Sequence, residues 1–139
     1  RKARLVILGE GEERDALQAL ADNLGIAADV IMPGFVENPF AVMRRANVFV
    51  MSSRREGLPG ALVEAMACGT PVVSTDCPSG PAEILENGRW GRLVPVGDHV
   101  ALATAIEATL TEPLHPDVAL RARDFSVEQA VQRYLAVIS

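Results

Sequence analysis

Cysteine, histidine and aromatic residues are scarce in this chain, and it has no long apolar run. Only two cysteines, Cys68 and Cys77, stand among 139 residues, and their spacing fits neither a paired metal-ligand motif nor a dense disulfide framework. Both are expected to be inert core thiols in a reducing compartment. The two histidines, His99 and His115, lie beside expected helix starts with no carboxylate or cysteine at ligand spacing, so no metal site is expected. No apolar stretch approaches the roughly 20 residues that span a bilayer, and no charged-then-apolar leader opens the chain; the expected location is cytoplasmic. An excess of basic charge is lacking too, since 13 Lys and Arg face 18 Asp and Glu for a formal net charge of −5. Surfaces that neutralise nucleic-acid phosphates or anionic lipid are basic, so neither partner is expected for this chain.

Hydrophobic residues make up 49% of the chain, enough to give one compact domain its own core but too few residues overall for two. Arg1 is followed almost at once by a strand, which suggests a segment of a longer protein. Leu5-Val6-Ile7-Leu8 is a continuous apolar run ending at Gly9, the pattern of a strand buried on both faces. From Glu12, the residues Leu17, Leu20, Ala21 and Leu24 fall at helical spacing, and Gly25 ends the helix. The plan then repeats. Strands are expected at Val30 to Met32, Val48 to Met51, Pro71 to Ser74 and Gly91 to Val96, with helices at Pro39 to Ala46, Pro59 to Cys68, Pro81 to Glu86 and Val100 to Leu110. Alternation of this kind predicts an α/β doubly wound parallel sheet covered by helices on both faces. Two C-terminal helices follow, Pro116 to Arg123 and Ser126 to Ile138, the second with Ser126 as its N-cap.

Ligands of open parallel sheets lie beyond the carboxyl ends of the strands, where loops enter helix N-termini. The loop Gly9-Glu10-Gly11-Glu12-Glu13-Arg14 begins like a dinucleotide-binding turn. Arg14 replaces the third small residue, however, and three glutamates crowd the place of a pyrophosphate, so it reads as a plain connection. The turn Gly34 to Pro39 offers backbone donors and acceptors that suit the edge of a planar base, or is simply a turn.

The most informative loop runs from Ser52 to Gly60 and enters the helix that carries Glu64. Gly57 and Gly60 allow backbone amides to approach a ligand with no Cβ in the way, and Pro59 suits a helix start. Amides at a helix N-terminus favour phosphate. Glu64 stands among Leu62, Val63, Ala65, Met66 and Ala67, an apolar setting in which a carboxylate wants hydroxyl donors, and a ribose diol supplies two. Glu56, before the helix, would reach past the phosphates toward what they carry. By itself the pair of glutamates also fits a cap plus a surface charge.

The string SSRREGLPGALVEAMACGTPVVSTDCPSGPAEILENGRWGRLVPVGD, residues 52–98, resembles the C-terminal domain of the GT-B retaining glycosyltransferases of family 4 (group 1). Those proteins carry E-x7-E followed by A-x-A/S-x-G-x-PVV. The resemblance runs from about Ala3 to the end and includes the PGFVEN turn. It implies a donor-binding domain for a nucleoside-diphosphate sugar, with Glu56 contacting the transferred sugar and Glu64 gripping the ribose. Amides around Gly57, Leu58, Gly60 and Ala61, next to Pro59, would hold the diphosphate, and Phe35, Val36 and Glu37 would edge the base. It further implies transfer with retention and without an essential metal or cofactor, to a glycan or lipid-linked acceptor, in building polysaccharide or cell-surface glycan.

Two departures narrow this expectation. The family places an arginine and a lysine, which clamp the pyrophosphate, before the strand at which this chain starts, and no matching pair is present. The acceptor-binding N-terminal domain, through which any membrane contact would run, is absent from the sequence as well. The chain alone is therefore expected to be inactive. The PSGPAEIL segment resembles a UDP-sugar-using branch with PSGPREIL, but Ala82 stands where the arginine is usual. Two other classes compete: a non-catalytic nucleotide-binding module, and a sugar-nucleotide epimerase of the same architecture. Arg54 and Arg55 either steer phosphate or form a solvated pair, and Glu83 either caps a helix or lines the donor pocket. Trp90 is expected to pack in its turn.

Overall fold

Residues 3–138 are described by a computed structural model. In chain order they form β1 (Leu5–Leu8), α1 (Arg14–Asn23), a 3-10 turn (Ala27–Asp29), β2 (Val30–Gly34), α2 (Pro39–Met43), β3 (Phe49–Met51), α3 (Gly60–Ala67) and β4 (Val72–Thr75). Then follow α4 (Pro81–Ile84), β5 (Arg92–Val94), α5 (His99–Thr111), α6 (Val118–Ala122), a second 3-10 turn (Arg123–Phe125) and α7 (Val127–Ile138). Strand and helix alternate as expected, and every strand pair is parallel. The α/β class with parallel sheets is therefore what the chain adopts. The ladders are two, β1-β2 and β3-β4-β5, where a single sheet was expected, because β1 and β3 each have one hydrogen-bonded neighbour among the described residues. The chain also divides into two compact units, the first ending at Pro39 and the second beginning at Phe40.

Within the second unit, β4 is the central strand and all four of its residues are buried. Successive side chains of a strand point to opposite faces. Val72 accordingly joins a cluster with Leu62, Ala65 and Met66 of α3, Ile84 and Leu85 of α4 and its exit, and Val118 and Ala122 of α6. Val73 joins the opposite cluster with Val94 and Ala105, flanked by Ala101, Leu102 and Ile106 of α5. Helices thus cover both faces of this sheet, the arrangement parallel strands require. Asp98 caps α5, its carboxylate accepting the Ala101 amide at 2.8 Å. Ser126 accepts the Gln129 amide at 3.3 Å, as its expected capping role requires.

In the first unit the expectation that β1 is buried on both faces does not hold. Leu5 is 51% and Val6 40% exposed. Of the apolar stripe on α1, only Ala21 is buried, and Leu17, Leu20 and Leu24 remain exposed. One strand neighbour and one helix do not suffice to cover them.

Arg121 is the chief polar tie of the second unit. Its guanidinium donates from Nε to the Ile84 carbonyl and from Nη2 to the Glu83 carbonyl, both at 2.9 Å. Nη1 reaches Asp124 at 2.9 Å and Glu86 at 3.4 Å. The Phe125 ring lies against it, with its centroid 4.8 Å away. The last carbonyls of a helix lack partners in its own ladder; that of Glu83 also accepts the Glu86 amide at 3.3 Å, and Arg121 supplies the further donors that close α4 and bind it to α6. Glu86 also accepts the Trp90 indole N–H at 2.8 Å, which holds that aromatic in its turn as expected.

Replacing Arg121 by Lys keeps the charge and removes the planar fork, so Arg121→Lys is expected to lower stability by about 1–3 kcal/mol. The urea midpoint measures this, and an unchanged midpoint would show that the fork is not what closes α4.

Candidate functional site

β3 and β4 run in register, with Met51 opposite Ser74, so their carboxyl ends lie side by side and the loops after them leave from one edge of the sheet. The first loop, 52–59, leads into α3 and the second, 76–80, into α4. Their contact is recorded in the glycine at position 80. Gly80 has φ of +97°, and a Cβ built on it would fall 2.5 Å from Pro59 Cδ and 2.9 Å from the Gly57 carbonyl oxygen. Both the backbone and the neighbours exclude a side chain there. The turn before α4 is therefore seated on the turn before α3.

α3 begins one residue later than expected, with Pro59 as the residue before the helix, at φ −74° and ψ 83° and without a side-chain cap. Pro59 itself is fully buried. The first four amides of a helix find no partner in its own ladder. Here Leu62 and Val63 donate to the Pro59 carbonyl at 3.1 and 3.4 Å, and the Gly60 amide turns back onto the Leu58 carbonyl at 2.8 Å. Among the described residues, the amides of Gly57, Leu58 and Ala61 donate to no protein acceptor. Of the expected phosphate-binding amides, that of Gly60 is thus already engaged, and the others are open. Neither Gly57 nor Gly60 adopts positive φ, and an added Cβ at either would meet nothing within 4 Å. The chain's own packing does not require glycine at these two positions.

The setting of Glu64 differs from expectation. Leu62, Ala65 and Met66 are the sealed face of α3 at 0% exposure, whereas Gly60, Ala61, Glu64 and Ala67 are exposed. The apolar neighbours in sequence lie around the far side of the helix, because residues one or two apart do not share a helical face. Glu64 therefore projects from an open strip whose other members are small. Glu56 is half-buried, and its carboxylate accepts a hydrogen bond from the Ser53 hydroxyl at 2.6 Å. The Ser53 carbonyl in turn accepts from the Thr75 hydroxyl at 2.5 Å. Neither Ser53 nor Thr75 was singled out from the sequence. A signal for Ser53 was present in the S-x-x-E spacing of Ser53 and Glu56, the spacing of a reciprocal cap; Thr75 depends on strand pairing and had none.

Arg54 and Arg55 are exposed, as a solvated pair would be. Glu83 is exposed, and its carbonyl accepts from Arg121 and from the Glu86 amide. Phe35, Val36 and Glu37 belong to the first unit, in the turn after β2, where Phe35 is 80% exposed. In that unit Arg14 donates to the Met32 carbonyl at 2.6 Å and pairs with Glu10 at 3.3 Å, so the loop after β1 is a self-contained turn. Both cysteines are free, Cys77 buried and Cys68 only partly so. His115 lies 3.8 Å from Glu112. Among the described residues no group of three or more potential metal ligands occurs, and no helix is long and apolar enough to cross a membrane.

Solved structures sharing this architecture are GT-B glycosyltransferases. The apo form of the lipopolysaccharide outer core galactosyltransferase WaaB superposes with a TM-score of 0.84 at 26% identity, covering 97% of this chain and 40% of that one. Anabaena Alr3699/HepE in complex with UDP gives a TM-score of 0.65 at 26% identity, over 93% of this chain and 35% of that one. The family described as "Glycosyl transferases group 1" matches residues 1–112, and the chain belongs to that family. A curated relative, the lipopolysaccharide core biosynthesis glycosyltransferase LpsE of Rhizobium meliloti (strain 1021), is 36% identical over 141 aligned residues, 97% of this chain. The chain spans 41% of the length of that relative.

The two kinds of glycine in the site predict opposite responses. Gly80→Ala is expected to destabilise the protein by about 1–3 kcal/mol, through its positive φ and its contact with Pro59. Gly57→Ala is expected to change stability by less than about 0.5 kcal/mol, because its Cβ enters open space. Urea unfolding of both variants checks the contrast, and equal losses would make Gly57 a structural glycine instead.

Proposed function

We propose that this chain is the donor-binding part of a retaining glycosyltransferase of family 4, lying toward the C-terminus of a longer protein, and that it holds a nucleoside-diphosphate sugar at the start of α3. The observation that carries this reading is the pair of glycines at 57 and 60. They stand beside open amides at an uncapped helix start, where neither φ nor packing demands them. A tetrahedral anion approaching those amides would account for both. The helix dipole adds a favourable field at that end.

On this reading the amides of Gly57, Leu58 and Ala61 hold the diphosphate. Glu64, on the open strip of α3, accepts the two ribose hydroxyls, and Glu56 receives hydroxyls of the sugar. The donor is a UDP-sugar, an assignment supported by the UDP complex of Anabaena HepE and by the PSGPAEIL segment. The glycosidic carbon leaves its phosphate oxygen as the acceptor hydroxyl attacks from the same face, and that oxygen takes the acceptor's proton. Stabilising the departing diphosphate charge is then the main catalytic contribution, with no metal needed. The acceptor, a glycan or lipid-linked sugar, is bound by the remainder of the longer protein. The biosynthetic relatives LpsE and WaaB support a role in surface polysaccharide assembly.

Calorimetric titration of the full-length protein with UDP tests the site. Glu64→Ala is expected to weaken UDP binding by roughly 10- to 100-fold, the loss of hydrogen bonds to an ionised group. Glu56→Ala is expected to leave UDP affinity near wild type and to remove nearly all turnover of the preferred donor in a panel of UDP-hexoses and UDP-N-acetylhexosamines. NMR of the first product should show the donor's own anomeric configuration. Absence of UDP binding, wild-type behaviour of both variants, or an inverted product would overturn the corresponding assignment.

A further inference from the structure

We infer that Ser53 and Thr75 are positioning residues for the carboxylate of Glu56, acting in series from the end of one strand to the acid that faces the sugar. The inference rests on the reading of Glu56 given above. Its own basis is a continuous chain of hydrogen bonds across two neighbouring strands. Thr75 is the last residue of β4 and 3% exposed. Its hydroxyl donates at 2.5 Å to the carbonyl of Ser53, two residues beyond the end of β3, and lies 3.4 Å from the Met51 carbonyl. A hydroxyl has one proton to give, so the shorter contact is the operative bond. Ser53 then donates its own hydroxyl to Glu56 Oε1 at 2.6 Å. That length is typical of a hydroxyl bonded to an ionised carboxylate.

The consequence is geometric. The loop 52–59 has no ladder of its own, and a glutamate on it would sample several rotamers. Thr75 fixes the backbone at Ser53 to a buried strand, and Ser53 fixes one oxygen of Glu56 while leaving Oε2 for a substrate hydroxyl. Positioning of this kind acts on the reacting centre and not on the diphosphate. The amides of Gly57, Leu58 and Ala61 do not depend on the Ser53 hydroxyl. Loss of that hydroxyl should therefore separate turnover from nucleotide affinity.

The test uses the full-length protein, UDP as the binding probe and the UDP-sugar that the wild-type protein hydrolyses or transfers fastest. Ser53→Ala is expected to lower kcat by roughly 10- to 100-fold, the loss of one hydrogen bond to an ionised group, with the Kd for UDP within about two-fold of wild type. Ser53→Thr, which restores a hydroxyl, should recover most of the rate. Thr75→Val, nearly isosteric, should reproduce the Ser53→Ala pattern in milder form, and Thr75→Ser should recover it. In Glu56→Gln the further change of Ser53 to Ala should add little. A wild-type kcat in Ser53→Ala, or a loss of UDP affinity in step with the loss of rate, would overturn the positioning role. A wild-type kcat in Glu56→Gln would instead sink the assignment of Glu56 on which it rests.

Discussion

Leu62, Ala65 and Met66 on α3 are sealed against β4, α4 and α6, and this burial sets the roll of the helix about its axis. Truncating one large side chain of such a set costs about 2–5 kcal/mol, so no nearby orientation competes. With that face fixed inward, Gly60, Ala61, Glu64 and Ala67 must face outward. The exposed carboxylate and the small residues around it follow from the apolar anchors on the other side. The rest of the proposed donor site is arranged around this one constraint.

α4 is held at both ends in ways that bear on the same loop. At its start, Gly80 rests on Pro59 and the Gly57 carbonyl; at its end, Arg121 closes the Glu83 and Ile84 carbonyls. α4 has only four residues and would not persist by its own propensity. The tertiary ties at its two ends maintain it and give the loop before α3 a firm floor. A loop carrying polar groups over such a floor keeps their geometry without being part of the sheet.

Much of this was legible in order and type. The alternation of apolar runs with helical periodicity yields the parallel α/β class and the helix that bears Glu64, and the S-x-x-E spacing is compatible with the Ser53–Glu56 bond. Boundaries shifted by one to three residues at several elements, because the terminal residues of strands and helices are decided by neighbours. The apolar run of β1 predicts burial on both faces, yet Leu5 and Val6 are exposed. Periodicity reports what a strand could bury, and the described first unit contains too little to bury it. The setting of Glu64 departs from its apolar sequence neighbourhood for a related reason: residues adjacent in sequence do not share a helical face.

The sequence by itself determined the parallel α/β plan, the loop and helix running from Glu56 to Glu64, and the pattern that places the chain among the group 1 glycosyltransferases. These are local or periodic properties, encoded in spacing and residue type. Tertiary structure alone decided which amides at the start of α3 stay open, which way Glu64 faces, and that Thr75 reaches Ser53 from the adjacent strand. The last of these joins residues 22 positions apart, and the facing of Glu64 follows from α3 packing on β4, α4 and α6; strand pairing and helix packing, not residue type or spacing, bring such groups together.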